Sequence, residues 1–366
     1  MKINRSSYRK IIAVIGIALL AVGGTRSSRA DFLYVGDVGD DTVKRYDATT
    51  QAFQGDFVSP SSGGLHGPRG LIFNQSGDLL VANQNVNLDV NGEILKYNGV
   101  TGMSTGALVP QTDPNAPFAP RGIVLRENRL YVASIVGEDK IGAFGNGKVF
   151  VYKQEGTFLG DLKPSHKIIS GGLFHPRGLV FGPDGLLYAS NWPTLKAGKE
   201  HSGNILRFDP EKGYLGVFAS NDNYPNFSAP EGLVFGPDGN LYTTSFRADV
   251  SDTDKIVIFA GPGKPNPGKF LMGISLDEPG VPSDQRNRAI ALLFGPFGSL
   301  YVPIYHADAK GNPNGHGEIR RYNVDVLHNT FTVSLFVGPS GPGDLHAPWY
   351  LTFGKTDPAT LAYPTP

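Results

Sequence analysis

The feature that most limits how this chain can fold is a phrase it repeats. Residues 175–190 read HPRGLVFGPDGLLYAS, and close copies are GPRGLIFNQSGDLLVAN (67–83), APRGIVLRENRLYVAS (119–134) and APEGLVFGPDGNLYTT (229–244). NRAIALLFGPFGSLYVP (287–303) and APWYLTFGKTDPATLAY (347–363) are looser copies. In register, the run-initial residues are Gly70, Gly122, Gly178, Gly232, Ala291 and Tyr350, spaced by 52, 56, 54, 59 and 59. Self-similarity at such a period means stacked supersecondary units, each packed only on its neighbours. That also explains how a chain of 366 residues escapes the size limit of a single core.

Each unit carries four short strand signals. In the third copy, A is GLVF, B is LLYAS, C is NILRFD and D is YLGVFA. A and B are continuous apolar runs, as inner strands covered on both faces should be. C alternates apolar and polar residues, as a half-exposed strand should. Gly and Pro together make 76 residues, and helix-forming tracts are missing, so the chain reads as all-β and rich in turns. Four antiparallel strands per unit, in tandem, predict a β-propeller. There are six A and six C strands. FLYVGDVGDDTVKRYDATTQAFQGDFV (32–58) supplies B, C and D without A, and WYLTF near the C-terminus supplies A alone. The two ends therefore complete one blade and close the ring, which leaves no open sheet edge along the ring. Both FLYVG and TLAYP resemble strand B, so six blades is the favoured count and seven the alternative.

The first thirty residues read differently. A basic MKINRSSYRK precedes the apolar IIAVIGIALLAVGG and a segment, TRSSRA, that ends in a small residue. This is the pattern of a secretory signal cleaved after Ala30, leaving 31–366 as one propeller domain. Without cysteine there is neither a lipid-anchoring thiol nor a disulfide framework. A periplasmic or released monomer is expected, with no membrane span after cleavage. Its mature part has 27 basic residues, the 33 of the chain less six in the signal, against 33 acidic ones. That balance argues against nucleic acid as a partner.

In a propeller the D–A and B–C loops open on one face and the A–B turns on the other. GPDG at 182–185 and 236–239 is such an A–B turn, with Asp184 and Asp238 as turn residues. The residue between Pro and Gly at the start of strand A lies at the channel mouth. In order it is Arg69, Arg121, Arg177, Glu231, Ile290 and Trp349. One reading is structural, with Arg stems packed on neighbouring blades. The other is a ring of guanidinium groups that holds a small carboxylate or phosphate, with Glu231 as base, ion partner or metal ligand. His66, His175 and His346 precede the same position and would form a divalent-metal site if the ring gathered them. The long B–C loops place Asn83, Asn191, Trp192, Arg247, Tyr305 and His306 directly after strand B, where they would reach a central ligand.

The phrase P-x-G-L-x-F-G-P-D-G-x-L-Y resembles the NHL-repeat propellers and their relatives, the gluconolactonase-like enzymes and streptogramin lyase. The resemblance covers nearly all of 31–366. It implies the propeller fold and leaves several chemistries open. Gluconolactonase-like enzymes hold a divalent metal, some of it through acidic residues before this Gly, and only Glu231 fits that pattern here. The amidating lyase of this group has P-H-G where this chain has P-R-G. The streptogramin lyase uses a His and a Glu with a metal, which would correspond to Glu231 and His306. The leading expectation is therefore a non-catalytic module that binds a small anionic molecule or a protein partner at the cell envelope. The alternative is a hydrolase or lyase acting on a lactone or cyclic ester with Ca, Mg or Zn, in which Glu231 and His306 would be catalytic.

Overall fold

Pro-x-Gly at the head of strand A sets the inner ring. In the four blades that keep the motif, pairing between A and B slips across it, between Pro68 and Leu71, Pro120 and Ile123, Pro176 and Leu179, and Pro230 and Leu233. A bulge of this kind lifts residues out of the ladder and re-aims the side chain between them. The glycine meets a second demand. A Cβ on Gly122 would lie 2.7 Å from the Arg177 carbonyl oxygen and 2.8 Å from the Leu179 nitrogen. On Gly178 it would lie 2.6 Å from the Glu231 carbonyl oxygen. Neighbouring A strands thus touch backbone to backbone around the axis, and only glycine permits the approach.

The computed structural model describes residues 31–136, 145–164, 173–192, 202–277 and 284–364. The proposed signal at 1–30 and parts of the loops at 134–147 and 191–203 lie outside these residues. The described residues form six antiparallel sheets, each a blade. Blade 1 pairs Pro68–Phe73, Leu79–Asn83, Glu93–Tyr97 and Ser104–Val109 in order from the axis. Blade 2 begins with Ala119–Arg126, blade 3 with Pro176–Phe181 and blade 4 with Ser228–Phe235. In blade 5 the A strand is split into Gln285–Arg288 and Leu293–Phe294, both paired with Leu300–Asp308. The split falls where the other blades carry their bulge, and Ala291 stands there in place of glycine. The sixth blade joins the ends, with Pro348–Phe353 innermost and Phe32–Asp37, Thr42–Asp47 and Phe53–Val58 outside it. TLAYP adds no strand. Its segment crosses the A–B face, held by Leu125 N to Pro358 O at 2.8 Å and Phe181 N to Ala359 O at 3.0 Å. Leu361 packs there against the cores of all the blades. Six blades is the count, and the seventh strand-B candidate is a plug for the channel.

The core lies between blades and repeats with them. The strand-B tyrosine of one blade sets its ring edge-on to the last phenylalanine of the next A strand. The pairs are Tyr34–Phe73 (4.8 Å between centroids), Tyr131–Phe181 (5.2 Å), and Tyr188–Phe235, Tyr242–Phe294 and Tyr301–Phe353 (5.0 Å each). The remaining interface, blade 1 on blade 2, has Leu80 and Leu125 in one hydrophobic cluster instead. Edge-to-face pairs contribute about 0.5–1.5 kcal/mol each beyond the area they bury. No helix among the described residues is long and apolar enough to cross a membrane.

Candidate functional site

The bulged residues form one buried layer across the channel mouth. Arg69, Arg121, Arg177 and Glu231 are each at most 2% exposed. Burial on this scale requires each guanidinium to have a specific partner, and aromatic rings supply much of it. Arg69 lies over Trp349 with its Cζ 3.6 Å from the ring centroid, and Arg177 lies over Trp192 at 3.7 Å. Trp349 stacks on Tyr305 at 5.8 Å, so Arg69, Trp349 and Tyr305 form a column across blades 1, 6 and 5. Arg69 Nε also donates to Gln84 Oε1. Arg177 Nη1 is 3.7 Å from Glu231 Oε1, and Trp192 Nε1 donates to Pro230 O at 2.9 Å.

A second cationic group borders the layer between blades 4 and 5. Arg286 donates to both oxygens of the fully buried Asp254, at 2.7 and 2.6 Å. Arg288 lies 3.7 Å over Phe246, and Arg247 Nη2 donates to Ala309 O at 2.7 Å. Burial and the neighbouring Arg286 hold the Arg247 guanidinium below its usual range. The repeat did not reveal Arg286 or Asp254, which lie outside the repeated phrase, or Arg288, which falls in a loose copy at a position with no counterpart in the other blades.

Tyr350 is the residue that the repeat underrates. It occupies the glycine position of the sixth A strand, and its ring lines the axial cavity of about 40 Å³ beneath the layer. Its hydroxyl is buried without a hydrogen-bond partner. Burial raises the phenol above its ordinary range, Glu231 adds to that, and Arg121, Arg69 and Arg177 pull the other way. All four charged groups of the layer thus act on this one oxygen. Trp349 Nε1, on the adjacent residue, is likewise buried with no partner. Desolvation pushes Tyr305 up to about 12.

Other residues singled out in the sequence serve the loops. Asn83 Oδ1 accepts from His66 N at 2.7 Å, and Asn191 Oδ1 accepts from His175 N at 2.6 Å. Both asparagines are fully buried and tie the D–A loop to strand B of their own blade. Asp37 fills this position in blade 6. It accepts from His346 N at 2.8 Å and Ala347 N at 2.7 Å, and Lys44 Nζ lies 2.9 Å away. The three histidines have separate surroundings. His66 contacts Asp41 Oδ2 at 2.7 Å and Val86 O at 2.9 Å, His175 is buried in blade 3, and His346 Nδ1 is 3.3 Å from Asp40. His306 faces Glu318 at 3.9 Å.

These donor sets do not fit a divalent metal. The one group of three metal-type ligands among the described residues is Asp37, Asp40 and His346, and Lys44 already bonds both carboxylates there. Glu231 lies beside guanidinium groups, whose charge disfavours a cation. Asp184 and Asp238 serve their turns, accepting from Tyr188 and Tyr242 hydroxyls at 2.8 and 3.0 Å.

No family model matches the sequence, and no curated protein matches it. Among solved structures, a luciferin-regenerating enzyme aligns over 91% of this chain and 92% of its own, with a TM-score of 0.52 and 14% identity. The two share the six-bladed propeller fold. A PQQ-bound aldose sugar dehydrogenase from Streptomyces coelicolor aligns over 74% of this chain and 81% of its own, at 19% identity and a TM-score of 0.46. At 14% identity the likeness to the luciferin-regenerating enzyme extends to the fold alone, which is the part of the NHL-like resemblance that it bears out.

Proposed function

We propose that this propeller is a non-catalytic binding module for a small oxyanion of carboxylate or phosphate type, held at the channel mouth. The observation that carries this is the Tyr350 hydroxyl, buried with no hydrogen-bond partner in a layer of three guanidinium groups and one carboxylate. A buried hydroxyl in that state is disfavoured by about 1–3 kcal/mol, and an anion or ordered water that accepts its proton removes the penalty. Trp349 Nε1 adds a second donor of the same kind. Guanidinium, phenol and indole groups all donate, which is the chemistry an oxyanion needs. The burial of the layer limits the ligand to a small one. The signal-like residues 1–30 support action outside the cytoplasm. Metal-assisted opening of a lactone draws no support from the residues around Glu231.

A thermal-shift screen with acetate, lactate and inorganic phosphate tests this reading. A saturable rise in melting temperature that disappears in Arg121→Ala supports it. No rise with any of the three at millimolar concentration would overturn it.

A further inference from the structure

On the opposite face, one turn departs from the repeat in a way that folding does not explain. The A–B turns of blades 3 and 4 read GPDG, and their Asp184 and Asp238 cap the turn and bond a tyrosine. Blade 5 reads GPFG, with Phe297 in place of the aspartate. Phe297 has a φ of 63°, in the left-handed region that bulky side chains avoid. Its ring is 84% exposed. A residue with an unfavourable backbone and no burial adds nothing to the fold at this position.

Phe297 forms the lip of a pocket of about 730 Å³, bounded by the blade 4 and blade 5 turns and by the C-terminal segment through Ala362, Tyr363 and Pro364. The volume is within the range of small-molecule sites, about 300–1,000 Å³. The walls are rings and prolines, chiefly Phe235, Pro237, Phe294 and Tyr363, with no charged side chain among the described lining residues. They are held rigidly: Phe235 packs on Tyr188, Phe294 on Tyr242, and Tyr363 on Phe353 at 5.4 Å. We infer that this pocket binds an uncharged, largely apolar small molecule with a planar ring system, clasped by Phe297. The described lining offers no cation to hold the anions proposed for the channel mouth, and the ring walls favour flat apolar surfaces that stack. The site is separate from the mouth, on the other face of the propeller.

Fluorescence titration of the full chain with N-phenyl-1-naphthylamine, an uncharged apolar dye, provides the test. The wild type is expected to bind one dye saturably. Phe297→Asp restores the turn sequence of blades 3 and 4, so it should melt no lower than wild type while binding the dye at least about tenfold more weakly. Phe297→Ala should weaken binding in the same direction. Arg121→Ala, at the other face, should bind the dye as wild type does. The inference is overturned if the wild type shows no saturable binding, or if both Phe297 variants bind unchanged. It is also overturned if light scattering shows a dimer that Phe297→Asp dissociates, because a second copy of the chain would then be the occupant.

Discussion

Arg69 lies over Trp349, its guanidinium carbon 3.6 Å from the ring centroid. The contact links the first A strand of the repeat to the last, where blade 1 meets blade 6. A desolvated cation–π contact contributes about 2 kcal/mol. Trp349→Leu keeps an apolar side chain and removes the aromatic face. It should lower the unfolding free energy by about that amount in urea titration, and a loss below about 0.5 kcal/mol would show that the stacking is incidental.

Gly122→Ala should destabilise by about 1–3 kcal/mol, because its Cβ has no room between the blade 2 and blade 3 inner strands. Gly263→Ala is the control, since no atom lies within 4 Å of its Cβ. Equal melting temperatures for the two variants would refute the close-approach explanation of the Pro-x-Gly motif.

The inner ring was legible in the sequence because four blades repeat the Pro-x-Gly phrase and two carry looser copies of it. The strand signals recur at a near-constant spacing, so the fold follows from counting. Asp37 was not legible. Its partners His346 and Ala347 lie 309 and 310 residues away, and nothing local marks it. Asn83 and Asn191 looked ligand-directed because strand ends on this face often are, yet their amides hold loops. Tyr350 registered only as an imperfect glycine. Its importance depends on which charges surround its hydroxyl, and those come from several blades.

Asp37→Ala should loosen the seam. It strips the acceptor from His346 N and Ala347 N and leaves Lys44 without one of its two carboxylates. Breaking a buried pair in this way costs about 3–5 kcal/mol. Hydrogen exchange should accelerate first in Pro348–Phe353 and Phe32–Asp37, ahead of blade 3. Uniform acceleration across all blades would contradict the assignment of Asp37 to closure.

Stability should be level up to about pH 9 and fall above pH 10. Burial holds the Tyr46, Tyr97, Tyr152, Tyr188 and Tyr242 phenols above their ordinary value of 10.0. The unfolded chain therefore releases these protons first, and stability is lost as pH rises from the unfolded value toward the folded ones. Urea midpoints measured from pH 8 to 11.5 check this, with tyrosinate absorbance reporting ionisation. Ionisation of all tyrosines near pH 10 with the fold intact would contradict it.

The anion site at the channel mouth depends most on the buried Tyr350 hydroxyl. Isothermal titration of wild type and Tyr350→Phe with inorganic phosphate and with lactate tests it directly. One-site binding to wild type of at least one of the two is expected. It should weaken about tenfold in Tyr350→Phe, the worth of one hydrogen bond to a charged group, with no fall in melting temperature. Absence of binding to wild type, or equal affinity in the two proteins, would contradict an anion site at the channel mouth.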